Sequence, residues 1–353
     1  MINQNEQYLE KRWLEYWNKE NHDRPIMSVN AVKNNAKYKT IERPATVKEC
    51  WMDWEYIVKA NRNSFENTFF GGEAFPLLNP NLGPDIVGAV CGCELEFSES
   101  TSWALHNVKD WESHPPIVFE ENNKWWQAIK QMTEYYVKDS QGDYFVGITD
   151  LHPGTDGLVS LRGPQELCMD IYDCPQEINS RIDQIFAVYK EMYNRLNAII
   201  SKKQQGTANW MGIWHPKANW YVVGSDFSCL VGKDDYEQYV APGLLNEIDF
   251  LDASIYHLDG PGALKHLDRI LQMEKLNGVQ WVYGSGQPTA RYWIEVLQKI
   301  QKAGKNIQIH CVPEDIKDIC EALKPEGVHI VCGVQTEDDA KDLIKMAERI
   351  YKK

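Results

Sequence analysis

Basic residues are the minority among the charged residues of this 353-residue chain, with 37 Lys and Arg against 51 Asp and Glu and a formal net charge of −14. Nucleic acids and anionic membrane surfaces attract basic proteins, so this charge argues against both as partners. The sequence also lacks an apolar run of roughly 18 residues, the length that a membrane helix needs. Residues 1–8 are too polar for a secretory signal peptide. We therefore expect a cytoplasmic protein that binds neither nucleic acid nor membrane.

Several catalytic motifs are also missing. The chain contains no P-loop, no G-x-S-x-G and no H-E-x-x-H, which leaves NTPase, serine hydrolase and zincin activities without support. No G-x-G-x-x-G loop marks a dinucleotide-binding sheet. The nine Cys are odd in number and lack zinc-ribbon spacing, which indicates free thiols in a reducing compartment.

A repeated strand–helix unit organises what is present. The stretch from Ser254 to Pro288 predicts a strand, an amphipathic helix and a second strand, with polar residues where each strand ends. Similar units predict eight strands, near Ile26, Val90, Val146, Ile213, Ile255, Trp281, Ile309 and Ile330. This alternation predicts a single α/β domain over residues 1–353, a (β/α)8 TIM-type barrel. An N-terminal helical extension covers residues 1–24, with its helix at Tyr8–Asn18.

Candidate catalytic side chains sit at or just past the predicted strand ends. They are Asp150, His152, His215, His257, Asp259, His310, Cys311 and Cys332. In a barrel these ends meet at one mouth, so residues distant in sequence can form one site. A structural role is the commoner explanation for any single histidine, whereas a site explains the whole set better.

The H-x-D pair of His257 and Asp259 points both side chains to one face of a strand end. Together with the thiolate of Cys332, the pair could hold zinc with an open fourth position. The alternative is that His257 and Asp259 only hydrogen-bond loop backbone.

Aromatic residues are frequent around the predicted strand ends. We expect several to shape the substrate pocket, by cation–π attraction to a quaternary ammonium or by stacking on a ring, although core packing must claim some of them. The candidate substrate-binding residues are Trp103, Trp214, Trp220, Tyr283 and His310.

Three stretches together resemble the uroporphyrinogen decarboxylase superfamily. They are Glu73–Pro76 with Leu82–Asp85, then Leu161–Leu167, then His257–Gly260 with Gln280–Gly284. The resemblance implies a (β/α)8 barrel and a homodimer. The early strand region, Arg24–Asn30, lacks the arginine-rich loop by which true decarboxylases of this superfamily grip substrate carboxylates, so porphyrin decarboxylation is not expected.

The zinc- and corrinoid-dependent methyltransferase branch is more similar to this chain. Its zinc is held by an H-x-C pair and a distant Cys, which the resemblance places on His257, Asp259 and Cys332, with Asp259 where the first Cys of the family would stand. An Asp ligand makes the metal a harder Lewis acid, better suited to polarising an oxygen. The stretch Asp150–Gly154 resembles the D-x-H-x-x-G signature of corrinoid-binding domains, but its spacing departs from that signature. We expect the corrinoid to be carried by a separate protein.

These observations predict a methyltransferase-like enzyme for a small methylated substrate. Zinc would polarise the atom that carries the methyl group, with acid–base help from Asp150, His152 or His215 and a catalytic role for Asp259. One alternative is a lyase or decarboxylase-type enzyme that uses the same Asp and His residues for proton transfer on a polar or sugar-like substrate. Another is a protein that binds a ligand without turning it over.

Overall fold

A seven-stranded sheet lies at the centre of the computed structural model, which describes residues 5–352. The strands in chain order are β1 Ile26–Val32, β2 Thr68–Gly72, β3 Leu77–Leu78, β4 Glu94–Phe97, β5 Ser102–Leu105, β6 Phe145–Val146, β7 Thr207–Ala208, β8 Trp214–His215, β9 Trp220–Gly224, β10 Ala253–Asp259, β11 Gly278–Val282, β12 Asn306–His310 and β13 Val328–Thr336. The sheet order is β2-β1-β13-β12-β11-β10-β9. All neighbours in it are parallel except β2, which runs antiparallel to β1 at the edge.

Fourteen α-helices separate and flank the strands within the described residues. They are α1 Glu6–Asn18, α2 Val47–Met52, α3 Trp54–Asn67, α4 Ile86–Val90, α5 Lys124–Ser140, α6 Gly154–Arg162, α7 Pro164–Asp173, α8 Pro175–Ile200, α9 Lys233–Asp235, α10 Ala241–Phe250, α11 Leu267–Leu271, α12 Ile294–Lys302, α13 Ile316–Ala322 and α14 Glu337–Tyr351. Between residues 5 and 352, no helix combines the length and apolarity needed to cross a membrane. The charged faces of helices such as α12 and α14 instead suit the outside of an α/β fold.

The parallel strands are buried on both faces, which explains their nearly continuous apolar sequence. In β11 the first four residues are all buried, and β10 begins with four buried residues in succession. Helices cover the outer face of such a sheet, so alternation of polar and apolar residues is weak in these strands. The result is an α/β fold with a mostly parallel central sheet.

Two of the eight predicted strand positions are wrong. The run ending at Val90 forms α4, because a short buried apolar run fits a helix as well as a strand. The strand near Ile213 is only the two-residue β8, which pairs antiparallel with β7, and the sheet strand of this region is β9. The Gly and Pro content of the stretch from Thr68 to Pro84 predicts a folded loop, but the stretch contains β2 and β3.

Helix α1 covers the amino end of the sheet, and its observed bounds extend the prediction for Tyr8–Asn18 by two residues. The Asn306 side chain at the start of β12 donates to the carbonyl of Tyr16, 3.0 Å away. Trp17 donates through Nε1 to the carbonyl of Trp214 at 3.0 Å. The opposite end of the sheet, where the parallel strands finish, is therefore the one left for a site.

Candidate active site

A cavity of about 500 Å³ opens at the carboxyl ends of β6, β9 and β10. Its lining residues are Pro84, Asp85, Asp150, His152, Asp156, Val159, Pro164, Trp210, Asp226, Phe227, Leu230 and His257. Acidic and imidazole groups form one part of the wall, and prolines, aliphatic and aromatic side chains form the rest. A cavity of this size that is mostly apolar with a few converging polar groups is typical of small-molecule sites.

His152 is the centre of an ion-pair group in this wall. Its Nε2 lies 2.8 Å from Oδ1 of Asp150, and its Nδ1 lies 3.9 Å from Oδ2 of Asp156. Burial alone would lower the pKa of His152, but Asp150 and Asp156 together raise it to about 10. The imidazole is therefore positively charged at neutral pH, which makes it a candidate proton donor.

Asp156 joins this group to the loop after β9. Its two oxygens accept the backbone N–H groups of Asp226 and Phe227, each at 2.9 Å. Burial and the Asp226 carboxylate raise the pKa of Asp156 to about 6, against the opposing effects of His152 and these N–H donors. A carboxyl group with this pKa exchanges a proton readily near neutral pH.

Replacing Asp150 by Asn is expected to lower the pKa of His152 well below about 10. Burial lowers this pKa, and the Asp150 carboxylate is the largest of the effects that raise it. Since the folded pKa exceeds the unfolded value of about 6.5, the pair stabilises the protein fully below pH ~6.5 and progressively less as the pH rises toward 10. An NMR titration of the His152 ring measures the shift. Asp249→Asn, which removes an exposed carboxylate of α10, should leave the titration unchanged. An unaltered His152 pKa in Asp150→Asn would contradict this assignment.

Asp226, His257 and Asp259 form a second group at the same edge. One ligand atom from each of the three lies within 4.8 Å of the other two, so together they could hold a metal ion. Burial and Asp226 raise the pKa of Asp259, while His257 acts in the opposite direction. This mutual repulsion of two carboxylates is relieved when a cation binds between them.

Glu247 of α10 lies behind the cavity. It is 2% exposed, its Oε2 has no hydrogen-bond partner, and it faces a small void that is also lined by Asp150 and His152. Burial and Asp156 raise the pKa of Glu247 well above its ordinary value. Burial therefore favours the protonated, neutral form of Glu247.

The chain is similar in fold to a methyltransferase. That structure is a methyltransferase from Methanosarcina mazei, with a TM-score of 0.61 over 97% of this chain and 99% of that chain. The two sequences are 13% identical, so the likeness shows the fold alone. No protein-family model and no curated protein matches the chain.

The methyltransferase-like fold brings four of the predicted site residues together. Asp150, His152 and His257 line the cavity, and Asp259 joins His257 in the metal-capable group. Asp150 and His152 follow β6, and His257 and Asp259 lie within the last three residues of β10.

Three predicted residues lie instead at the amino end of the sheet. The His215 ring packs 4.8 Å from that of Trp17, and burial lowers the pKa of His215 to about 4. Trp214 and Trp220 are fully buried, against Phe145 and Trp17 respectively. Neither tryptophan lines the cavity, and His215 is separated from it by the length of the sheet.

The remaining predicted residues lie around the mouth but outside the cavity lining. Trp103 is 42% exposed on β5, and Tyr283 follows β11. His310 ends β12, where burial and His257 lower its pKa. Cys332 is buried in the middle of β13, and burial with the nearby acids Glu314 and Asp315 raises the pKa of its thiol to about 11. Among the described residues, Cys332 does not belong to the metal-capable group.

Sequence reasoning missed Asp226 because it placed a strand at Met211–Trp214. Had β9 been recognised from its Val222–Val223 pair, Asp226 would have stood two residues past a strand end. Asp156, Trp210 and Phe227 were also missed, because they lie in loops and first helical turns outside the predicted strand ends, and Asp85 belongs to the Leu82–Asp85 stretch of the family resemblance but was not predicted as a site residue.

Proposed function

We propose that this protein is an enzyme that removes a methyl group from a small substrate and transfers it to a corrinoid on a separate protein. The proposal is carried by one observation: the ion pair of the protonated His152 with Asp150 and the metal-capable group of Asp226, His257 and Asp259 lie at the same cavity. The methyltransferase-like fold supports it. In this proposal the separate β3–β6 pair completes the (β/α)8 barrel, and the whole chain acts as one domain, in a homodimer in the cytoplasm.

Zinc is the metal that we propose for the Asp226, His257 and Asp259 group. One imidazole nitrogen and two carboxylates fit a divalent ion that keeps open positions for substrate, as catalytic zinc does. When bound there, zinc supplies Lewis acidity toward an oxygen, because oxygen ligands leave it harder than thiolates would. The proposed substrate is therefore a small molecule whose methyl group is bonded to the oxygen of an ether or an alcohol.

His152 supplies the proton that this reaction needs. When the methyl carbon leaves its oxygen for the corrinoid, the oxygen keeps the bonding electron pair and takes the His152 proton. The imidazole becomes neutral and remains held by Asp150 at 2.8 Å. Trp210 and Phe227 contribute the apolar wall against which the rest of the substrate packs. His310, Trp103 and Tyr283 remain candidates for contacts at the rim.

A lyase or decarboxylase-type reaction is the second candidate. It is favoured by the pairing of His152, whose pKa is about 10, with Asp156, whose pKa is about 6. An acid and a base whose pKa values are pushed apart can move protons on a polar substrate without a metal.

Metal content distinguishes the two candidates. We expect near-stoichiometric zinc in the parent protein and in Cys332→Ala, but a loss of zinc in Asp226→Asn. The reason is that Asp226 is one of the three proposed ligands, whereas Cys332 is not. Asp249→Asn serves as the matched control, since it removes an exposed carboxylate. Zinc that depends on Cys332 and not on Asp226 would refute the proposed ligand set. A parent that takes up no metal after incubation with zinc would leave the proton-transfer reaction as the better candidate.

A further inference from the structure

A row of buried polar side chains crosses the sheet from the candidate site to β1. Side chains at one level of β10, β11, β12 and β13 are direct neighbours in the strand register: His257 beside Gln280, Gln280 beside Gln308, and Gln308 beside His329. The row ends on β1 at Ser28. Gln280, Gln308 and His329 are each 2% exposed or less. Polar groups at such depth need hydrogen-bond partners, and these residues supply them to one another.

Every contact of the row is within hydrogen-bond distance. His257 Nδ1 contacts Oε1 of Gln280. Nε2 of Gln280 lies 2.6 Å from Oε1 of Gln308, and Nε2 of Gln308 lies 3.1 Å from Nδ1 of His329. His329 Nε2 lies 2.9 Å from Oγ of Ser28. Taken alone, such a row could donate in either direction, because amides can be turned over and imidazoles have two neutral tautomers.

The backbone carbonyl of Met211 decides the direction. It lies 2.7 Å from Nε2 of Gln308. A carbonyl oxygen only accepts, so the Gln308 atom facing it must be the NH2 group. The Gln308 oxygen then faces Gln280 and accepts a hydrogen bond from the Gln280 NH2 group. The Gln280 oxygen is thereby turned to His257, whose Nδ1 must donate.

We propose that Gln280 and Gln308 are positioning residues that hold His257 in its Nδ1–H tautomer, with the lone pair on Nε2. One peptide carbonyl, that of Met211, sets this state from two strands away. The opposite end of the row agrees with it: Nδ1 of His329 accepts from Gln308, and its Nε2 donates to Ser28. Each member accepts on one side and donates on the other, so the bonds polarise one another in the same direction.

The consequence for the site is an imidazole prepared as a ligand. A histidine that donates one N–H to an oxygen is fixed in orientation and is more basic at its other nitrogen. This part rests on the proposed function, because it assigns that nitrogen to zinc. The tautomer itself does not depend on any metal.

The first test is the tautomer of His257 in the metal-free parent, read from the ¹⁵N chemical shifts of selectively labelled histidines. We expect a protonated Nδ1 and an unprotonated Nε2. A parent with a protonated Nε2 would overturn the proposal, and no variant is needed for that result. In Gln308→Met the link to the Met211 carbonyl is cut, and we expect His257 to populate both tautomers. Gln204→Met, which replaces a half-buried Gln bound to backbone at Val146, should leave His257 unchanged.

The second test is zinc affinity by calorimetry. Gln280→Met is expected to weaken zinc binding by about 10- to 100-fold, the usual effect of removing the partner of a ligating histidine, whereas Gln204→Met should not. Gln280→Glu keeps an oxygen for the Nδ1–H group and should retain the parent tautomer even if it folds less stably. If the parent shows the expected tautomer but binds no zinc, the proposed function fails and the positioning role stands. If zinc binds with equal affinity in Gln280→Met, the positioning role in metal binding is refuted.

Discussion

Replacement of Glu73 by Gln is expected to lower the free energy of unfolding by about 3–5 kcal/mol, the range for breaking a buried ion pair. The Glu73 side chain is 0% exposed and accepts from Arg24 at 2.7 and 2.8 Å and from Arg12 at 3.1 Å. Tyr8 and the backbone N–H of Met27 also donate to it. Without the carboxylate, two nearly buried guanidinium groups lose their shared counter-charge. Chemical denaturation of the parent and the variant measures the difference.

Asp23→Asn is the matched control, because it removes a carboxylate 2.8 Å from Arg12 that is 56% exposed. Because the Asp23 carboxylate is exposed to solvent, its attraction to Arg12 is screened, and we expect the substitution to cost about 1 kcal/mol or less. Burial would raise the pKa of Glu73, but Arg24 and Arg12 lower it below the ordinary value. The stabilisation should therefore be complete above pH ~4.3 and disappear as the pH falls through the lower folded pKa. Equal effects of the two substitutions would contradict this role.

Replacement of His152 by Gln is expected to reduce the rate of the proposed methyl transfer to a corrinoid partner by about 10²- to 10⁴-fold, the usual contribution of a positioned general acid. The physical reason is that the variant has no ionisable proton to give to the leaving oxygen. Absorbance of the corrinoid partner as it gains the methyl group measures the rate in a single turnover. The parent rate should hold through neutral pH and decline as the pH approaches about 10, where His152 loses its charge.

His215→Gln provides the matched control, since it changes the same residue type at the amino end of the sheet. Its rate should remain within about twofold of the parent, because no proton is exchanged there. Nδ1 of His215 accepts the backbone N–H groups of Lys217 and Ala218, so some loss of stability is expected from this variant. A large loss of rate in His215→Gln with a normal rate in His152→Gln would contradict the proposal, because it would place the reaction at the amino end of the sheet.

Helices and buried strands could be predicted where a local pattern is strong and long. Apolar periodicity over three or more turns predicts helices over Tyr8–Asn18 and Pro175–Lys202, and the observed α1 and α8 agree with these bounds to within two residues at each end. β10, β11 and β12 are short apolar runs bounded by polar residues and glycine, and they were also placed correctly. The short run ending at Val90 failed because five buried residues carry too little periodicity to distinguish a helix from a strand.

The candidate site was predictable only as far as the strand ends were. Asp150 and His152 were found because they come shortly after β6, and His257 and Asp259 because they lie at the carboxyl end of β10, two strands that the sequence predicts. Misplacing one strand by about ten residues exchanged Asp226 for His215, and these two residues lie at opposite ends of the sheet. A polar residue at a strand end is thus informative only when the direction and bounds of that strand are right.

The sequence by itself determined the composition of the core, the alternation of strands and helices, and the acidic character of the chain, because hydrophobic spacing and charge are local properties. The tertiary structure alone decided which distant side chains meet. Glu73 with Arg24, Asp156 with the backbone N–H of Asp226, and Met211 with Gln308 pair through strand register and loop paths. These contacts depend on how whole elements pack over separations of many residues. For that reason no window of sequence indicates the direction of the hydrogen-bonded row or the tautomer that it imposes on His257.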